Sequence, residues 1–253
     1  MVLNTFSLEG KVAMVTGCNT GLGQGMALGL AQAGCDIVGV NRNGPDDTQS
    51  KVEALGRRFW PVQADLLQTS VLASVVEQAL AAAGKIDILV NNAGIIRRED
   101  ALDFSEQDWD DVMNINSKSL FFLSQQVARQ FIAQGHGGKI INIASMLSFQ
   151  GGIRVPSYTA SKSAVMGLTR LMANEWAKHG INVNAIAPGY MATNNTEQLR
   201  NDASRSEEIL GRIPAGRWGV PDDMMGPIVF MASAASDYVN GYTLAVDGGW
   251  LAR

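Results

Sequence analysis

Val12-Ala13-Met14-Val15-Thr16-Gly17-Cys18-Asn19-Thr20-Gly21-Leu22-Gly23 is the stretch whose reading decides the fold. Its first four residues are an unbroken apolar run, the mark of a strand covered on both faces in a parallel sheet. The turn that follows is spaced TGxxxGxG. Gly17 admits backbone angles closed to other residues, Gly21 lets the chain approach a phosphate, and Gly23 allows close packing of helix on strand. A helix starting there offers unpaired N–H groups and a positive dipole end to an anion. A glycine turn between a first strand and a first helix reads as a cradle for a dinucleotide pyrophosphate, with Gly17, Asn19, Gly21 and Leu22 around it.

Outward from this stretch the chain alternates. Strands are expected at 12–16, 36–40, 59–64, 86–90, 139–144, 181–187 and 243–246. Helices are expected at 21–33, 47–56, 70–83, 109–134, 158–178 and 221–233. Strict β-α alternation with continuously apolar strands argues an α/β fold: a doubly wound parallel sheet of the Rossmann type, helices on both faces, ligands at the carboxyl ends of the strands. No linker or repeat interrupts the pattern, so residues 1–253 are read as a single domain. The polar segment 190–214, which shows little periodicity, falls just after a strand end and reads as a substrate lid.

The net charge of −4 gives no reason to expect nucleic acid or an anionic membrane as partner. The first ten residues lack the pattern of a signal peptide, and no window is apolar enough to span a bilayer. Cys18 and Cys35 read as reduced, buried thiols, which suits a cytoplasmic protein. With His136 and His179 isolated from one another, no metal-ligand cluster is expected.

Ser145 ends the isoleucine-rich strand, Tyr158 follows 13 residues later, and Lys162 lies four beyond that. Tyr158 and Lys162 share a helix face. A free tyrosine titrates near ~10, so an acid/base at neutral pH needs its phenolate favoured by roughly 4 kcal/mol. The Lys162 ammonium supplies charge of the right sign, and Ser145 can hold the reacting oxygen. At the end of the second strand, where an acidic residue often holds the adenosine ribose, stand Asn41 and Arg42. Asn41 can hydrogen-bond a ribose and Arg42 can accept a 2′-phosphate; the pair also suits a solvated turn, given the polar run Asn43–Asp47. Choice between NAD and NADP is open on this chemistry. Asp65 is placed to accept from an adenine amino group or to cap the next helix.

On these motifs the chain resembles the short-chain dehydrogenase/reductase family along its whole length. It carries TGxxxGxG at Thr16–Gly23, NNAG at Asn91–Gly94, Ser145, YxxxK at Tyr158–Lys162, PG at Pro188-Gly189 and DGG at Asp247–Gly249. The resemblance implies Tyr158 as general acid/base, Lys162 on the nicotinamide ribose, and Ser145 on the reacting oxygen. Asn116 would anchor a proton relay, with Asn114 its near rival. It also implies cofactor contacts from Leu66, Asn92, Ala93, Gly94, Pro188, Gly189 and Thr193, with NAD(H) preferred and NADP(H) possible. Segments 91–100, 145–157, 189–196 and 237–253 are similar to family members that act on deoxy sugar acids and assemble as homotetramers. Substrate contacts are accordingly expected from Ser145, Tyr158 and Gln150, with Arg97, Arg98 or Arg154 suited to a carboxylate. The apolar tail with Trp250 and Leu251 reads as part of a subunit interface. Another keto substrate, or a dinucleotide-binding regulator without chemistry, is the alternative; an intact Ser145-Tyr158-Lys162 set argues against the regulator.

Overall fold

The computed structural model describes residues 1–44 and 47–253; Pro45 and Asp46 of the polar run lie outside them. Seven strands form one sheet in the order β3-β2-β1-β4-β5-β6-β7. They are β1 (Val12–Thr16), β2 (Asp36–Asn41), β3 (Phe59–Gln63), β4 (Ile88–Asn91), β5 (Gly138–Ile143), β6 (Ile181–Pro188) and β7 (Thr243–Val246). Every pairing is parallel, as the unbroken burial of β1 and β4 requires.

One face is covered by α3 (Leu72–Ala83), α5 (Leu120–Gln134) and α6 (Pro156–Trp176), which bury Val75, Val127, Phe131 and Val165 against the sheet. The other is covered by α1 (Gly21–Gln32), α2 (Thr48–Ala54) and α9 (Met225–Ala232), burying Met26, Leu30, Val52 and Ile228. The chain leaves β1 toward β2 on one side and returns to β4 on the other. That reversal opens a crevice at the carboxyl ends of β1 and β4, the usual ligand position in such sheets.

Two elements differ from the sequence reading. The long helix expected at 109–134 is instead α4 (Glu106–Met113), a π-helical stretch over Asn114–Ser119, and then α5. Ser105 starts α4 early by accepting from the Asp108 amide, a cap that hydrophobic spacing alone does not reveal. Segment 190–214 contains α7 (Glu197–Asn201) and α8 (Ala203–Arg212), the latter capped by Asp202. Its apolar positions are few, but Ile209 and Ile213 seat it on a small cluster with Met146 and Trp250. Trp250, expected at a subunit interface, is buried inside its own chain, with the Arg212 guanidinium 4.0 Å from its ring centroid.

Candidate active site

The crevice is built from main-chain turns locked by side chains. Thr16, the last residue of β1, accepts the amides of Asn92 and Ala93 on its hydroxyl at 3.0 and 2.9 Å. Asn92 answers by donating its carboxamide to the carbonyls of Thr16 and Gly17 at 3.0 and 2.8 Å. The glycine turn and the turn after β4 are thus fastened across the point where strand order reverses. Gly17 has φ +65°, and a Cβ there would meet Ala93 Cα at 3.1 Å. On the opposite wall a Cβ on Gly94 would stand 2.9 Å from Asn116 Oδ1.

Two connected hollows result. One, of about 340 Å³, is lined by Asn19, Asn41, Arg42, Asp65, Leu66 and Arg97; the other, of about 250 Å³, by Leu22, Tyr158, Lys162, Thr193, Asn194 and Asn195. Gly17, Thr20, Ala93 and Gly94 border both. A cleft joining a glycine turn to a tyrosine-lysine pair, with the buried Asn19 Oδ1 left without a partner among the described residues, fits an extended dinucleotide. Its adenosine would sit by Arg42 and Asp65 and its nicotinamide by Tyr158.

Asn41 lines the first hollow, but its carboxamide is turned inward. Oδ1 accepts the Cys18 amide at 2.8 Å and Nδ2 lies 3.4 Å from Cys18 Sγ. Asp65 accepts the Leu67 amide at 3.1 Å, and the Leu66 carbonyl accepts the Ser119 hydroxyl. Pro188 ends β6; Gly189 follows it so close to Asp247 that a Cβ would stand 2.7 Å from it. Thr193 packs against the Gly21 side of the glycine turn.

Of the two asparagines in register for the relay, the structure brings Asn116 to the site. It is 1 % exposed; its Oδ1 accepts the Ile95 amide at 2.9 Å, and its Nδ2 donates to Ile95 O at 3.0 Å and Ser161 Oγ at 3.1 Å. The π-helical stretch inserts the extra residue that turns it inward. Ser161 in turn donates to the Tyr158 carbonyl at 2.8 Å. Lys162 sits with Nζ 5.6 Å from the Tyr158 ring centroid and donates to Ile143 O at 2.6 Å.

Burial pushes the Lys162 ammonium down to about 8. Burial raises the Tyr158 phenol, with the Ser145 hydroxyl and the Arg98 charge drawing it partly back. The sequence reading had Lys162 lowering the phenol. In the protein alone desolvation of the phenol prevails, and burial disfavours the ammonium as well.

The three arginines separate. Arg97 donates to Asp108 at 3.1 Å and lies 3.9 Å from Asp111; Arg154 pairs with Glu99 at 3.1 Å and Asp100 at 3.4 Å. Both were expected at a substrate carboxylate, and the structure gives both other partners. Arg98 has no carboxylate partner among the described residues and donates to the Asn195 carbonyl at 2.9 Å. Gln150 lies half-buried in the loop between Ser145 and α6. Thr16 opens the TGxxxGxG motif, but its hydroxyl's grip on the turn after β4 is not in that pattern. Ser148 and Ser161 carry only a faint signal, a small hydroxyl one or three residues from a motif position.

A parallel sheet with a dinucleotide cleft at its switch point and a tyrosine-lysine pair beside it defines a nicotinamide-dependent oxidoreductase. Residues 11–204 match the model of the short chain dehydrogenase family, and the chain belongs to that family. It is an NAD(P)-dependent oxidoreductase. It is 76% identical over 253 residues, covering 100% of both chains, to the 2-dehydro-3-deoxy-D-gluconate 5-dehydrogenase of Dickeya dadantii (strain 3937). A solved structure from Agrobacterium tumefaciens with bound NADP superposes with a TM-score of 0.94 at 57% identity, over 99% of this chain and 100% of that one. The gluconate 5-dehydrogenase of Burkholderia cenocepacia J2315, in complex with NADP and tartrate, gives a TM-score of 0.95 at 40% identity over 100% of both.

Proposed function

We propose that the chain catalyses reversible hydride transfer between a nicotinamide dinucleotide and a secondary alcohol or ketone of a deoxy sugar acid, with C5 of 2-dehydro-3-deoxy-D-gluconate as the reacting carbon. The name of the relative at 76% identity supports the substrate. The observation that carries the reading is Arg98, a cation without a carboxylate partner among the described residues whose charge acts on Tyr158.

Tyr158 takes the hydroxyl proton during oxidation and returns it during reduction. Ser145 accepts the Leu147 amide on Oγ at 3.2 Å, which leaves its own proton to hold the substrate oxygen. A relay through Lys162 and Asn116 passes the proton between the phenol and solvent. The dinucleotide supplies the hydride acceptor or donor and, when oxidised, a positive charge that favours phenolate. Arg98 exchanges the Asn195 carbonyl for the substrate carboxylate, and segment 190–214 closes over it. The working form is a cytoplasmic homotetramer.

A charge-assisted hydrogen bond is worth roughly 1.5–3 kcal/mol, so Arg98→Met is expected to raise KM for the acid about ten- to a hundredfold. Activity on a neutral ketose should survive, and Arg97→Met and Arg154→Met should change less. Equal turnover of neutral ketoses and hexonates by the unaltered protein would overturn the sugar-acid reading.

A further inference from the structure

We propose that Ser148 is a positioning residue for the proton-transfer pair, a buried clasp that fixes where the Ser145 hydroxyl stands relative to Tyr158. This rests on Ser145 and Tyr158 being the reacting pair. They come from different elements: Ser145 follows β5, and Tyr158 sits in the first turn of α6. The chain between them runs through Gly151, Gly152, Ile153 and Arg154, all exposed, with Arg154 at φ +63°. Such a loop does not hold two side chains at a fixed separation to the fraction of an ångström that proton transfer demands.

Ser148 supplies the missing constraint. It is 7% exposed, its hydroxyl donates to the Lys162 carbonyl at 2.6 Å, and the same oxygen accepts the Ser145 amide at 3.3 Å. A hydroxyl has one proton to give and lone pairs to receive with, so both bonds form at once. One small side chain thus links the main chain of Ser145 to the main chain of Lys162, one helical turn beyond Tyr158. The turn itself does not need that hydroxyl, because the Ser148 amide donates to Ser145 O at 2.9 Å whatever the side chain. Removing the hydroxyl therefore leaves the turn and undoes the link.

The other fastenings of α6 act elsewhere. Ser161 ties it to Asn116 and Ser117 on the side of the π-helical stretch, Thr169 accepts from Asn142 of β5, and Lys162 Nζ ties it to Ile143, two residues before Ser145. None of these reaches the Ser145 backbone. Burial apart, the groups that bear on the phenol's titration are Ser145 after β5 and Arg98 from the loop after β4, and the Lys162 ammonium of α6 stands 5.6 Å from its ring centroid. Of these only Ser145 is carried by the clasp. Loosening it should weaken the Ser145 interaction that draws the phenol down, and leave the two cations in place.

Ser148→Ala is the test, with Tyr158→Phe as its reference. The alanine variant is expected to lose about tenfold to a hundredfold in kcat for hexonate oxidation. The Kd for NAD(H), by fluorescence titration, should stay within about twofold, since the cleft walls are untouched. The rising limb of its pH–kcat profile should move about one unit to higher pH. Alkaline difference absorbance, with Tyr158→Phe as blank, should show the same displacement of the phenol itself; that readout needs no substrate. Unchanged kcat and an unmoved phenol titration would overturn the proposal. So would a loss of turnover with a proportional loss of dinucleotide affinity, which marks a general collapse of the site. If the unaltered protein turns over no hexonate while the phenol titration still moves, the substrate reading fails and the clasp stands.

Discussion

Lys162 is where burial and function pull against each other. Its ammonium is 5% exposed with Ile143 O as its bonded acceptor, and burial lowers it to about 8. A lysine in the unfolded chain titrates near ~10.4. Between those values the unfolded chain binds more protons than the folded one, so stability from this group rises with pH across that window. Below it the folded protein carries the whole cost of the buried charge, on the order of 3 kcal/mol. Lys162→Met should therefore flatten the gain in unfolding free energy between pH 7 and 10 by about 2–3 kcal/mol relative to the unaltered chain. Urea unfolding of both proteins at several pH values checks this, and parallel curves would sink it. Cys18, raised to about 11 by burial, works in the opposite direction but is common to both. The Tyr158 and Lys162 pairing was legible in the sequence because helical spacing determines which side chains share a face. Which group sets the phenol's pKa was not, since desolvation depends on what the rest of the chain packs around it.

The carboxyl end of β2 is where the choice of dinucleotide is expected to be made. Asn41, expected to hold the ribose, lines the first hollow and also bonds the glycine turn at Cys18. Thr48 adds bonds to the carbonyls of Cys18 and Asn19 at 2.9 and 3.2 Å. Arg42, next to Asn41, is a cationic group lining the same hollow. Arg42→Ala is expected to weaken NADP(H) by about tenfold or more while NAD(H) stays within about twofold. Calorimetric titration of both dinucleotides decides it; equal losses would return Arg42 to a general surface charge. Strands could be read because a fully apolar run belongs in a sheet covered on both faces; their order, which depends on how the helices cross, could not. The direction of the Asn41 carboxamide could not, for it is set by an amide 23 residues away in sequence. The π-helical stretch escaped the reading for the same reason: Asn116 is pulled inward by Ile95 and Ser161, and nothing in its own helix announces that.

At the scale of the molecule, apolar side chains remain on the outer faces of the long helices. Phe122 is 39% and Ile132 45% exposed on α5, Leu171 45% on α6, and Trp109 41% on α4. Large side chains left open on adjacent helices are the ordinary material of an oligomer interface. Light scattering at micromolar concentration is expected to give four times the chain mass, and a stable monomer would contradict this. Because Trp250 is buried within its own chain, it adds nothing to that exposed apolar surface, whereas Tyr242 of the tail, 57% exposed, does.

The fastening of the glycine turn by Asn92 has a consequence in time. The two residues it joins, Thr16 and Asn92, are 76 positions apart, so closing that loop falls among the slow, non-local events of folding. A ribosome adding about 5–20 residues per second leaves the first strand waiting several seconds for its partner. Until then the glycine turn is an unanchored loop with no opposite wall. A nucleotide therefore finds its site only after the fourth strand has joined the first, and the energy of its binding accrues to the finished sheet and lends nothing to the earlier half-chain.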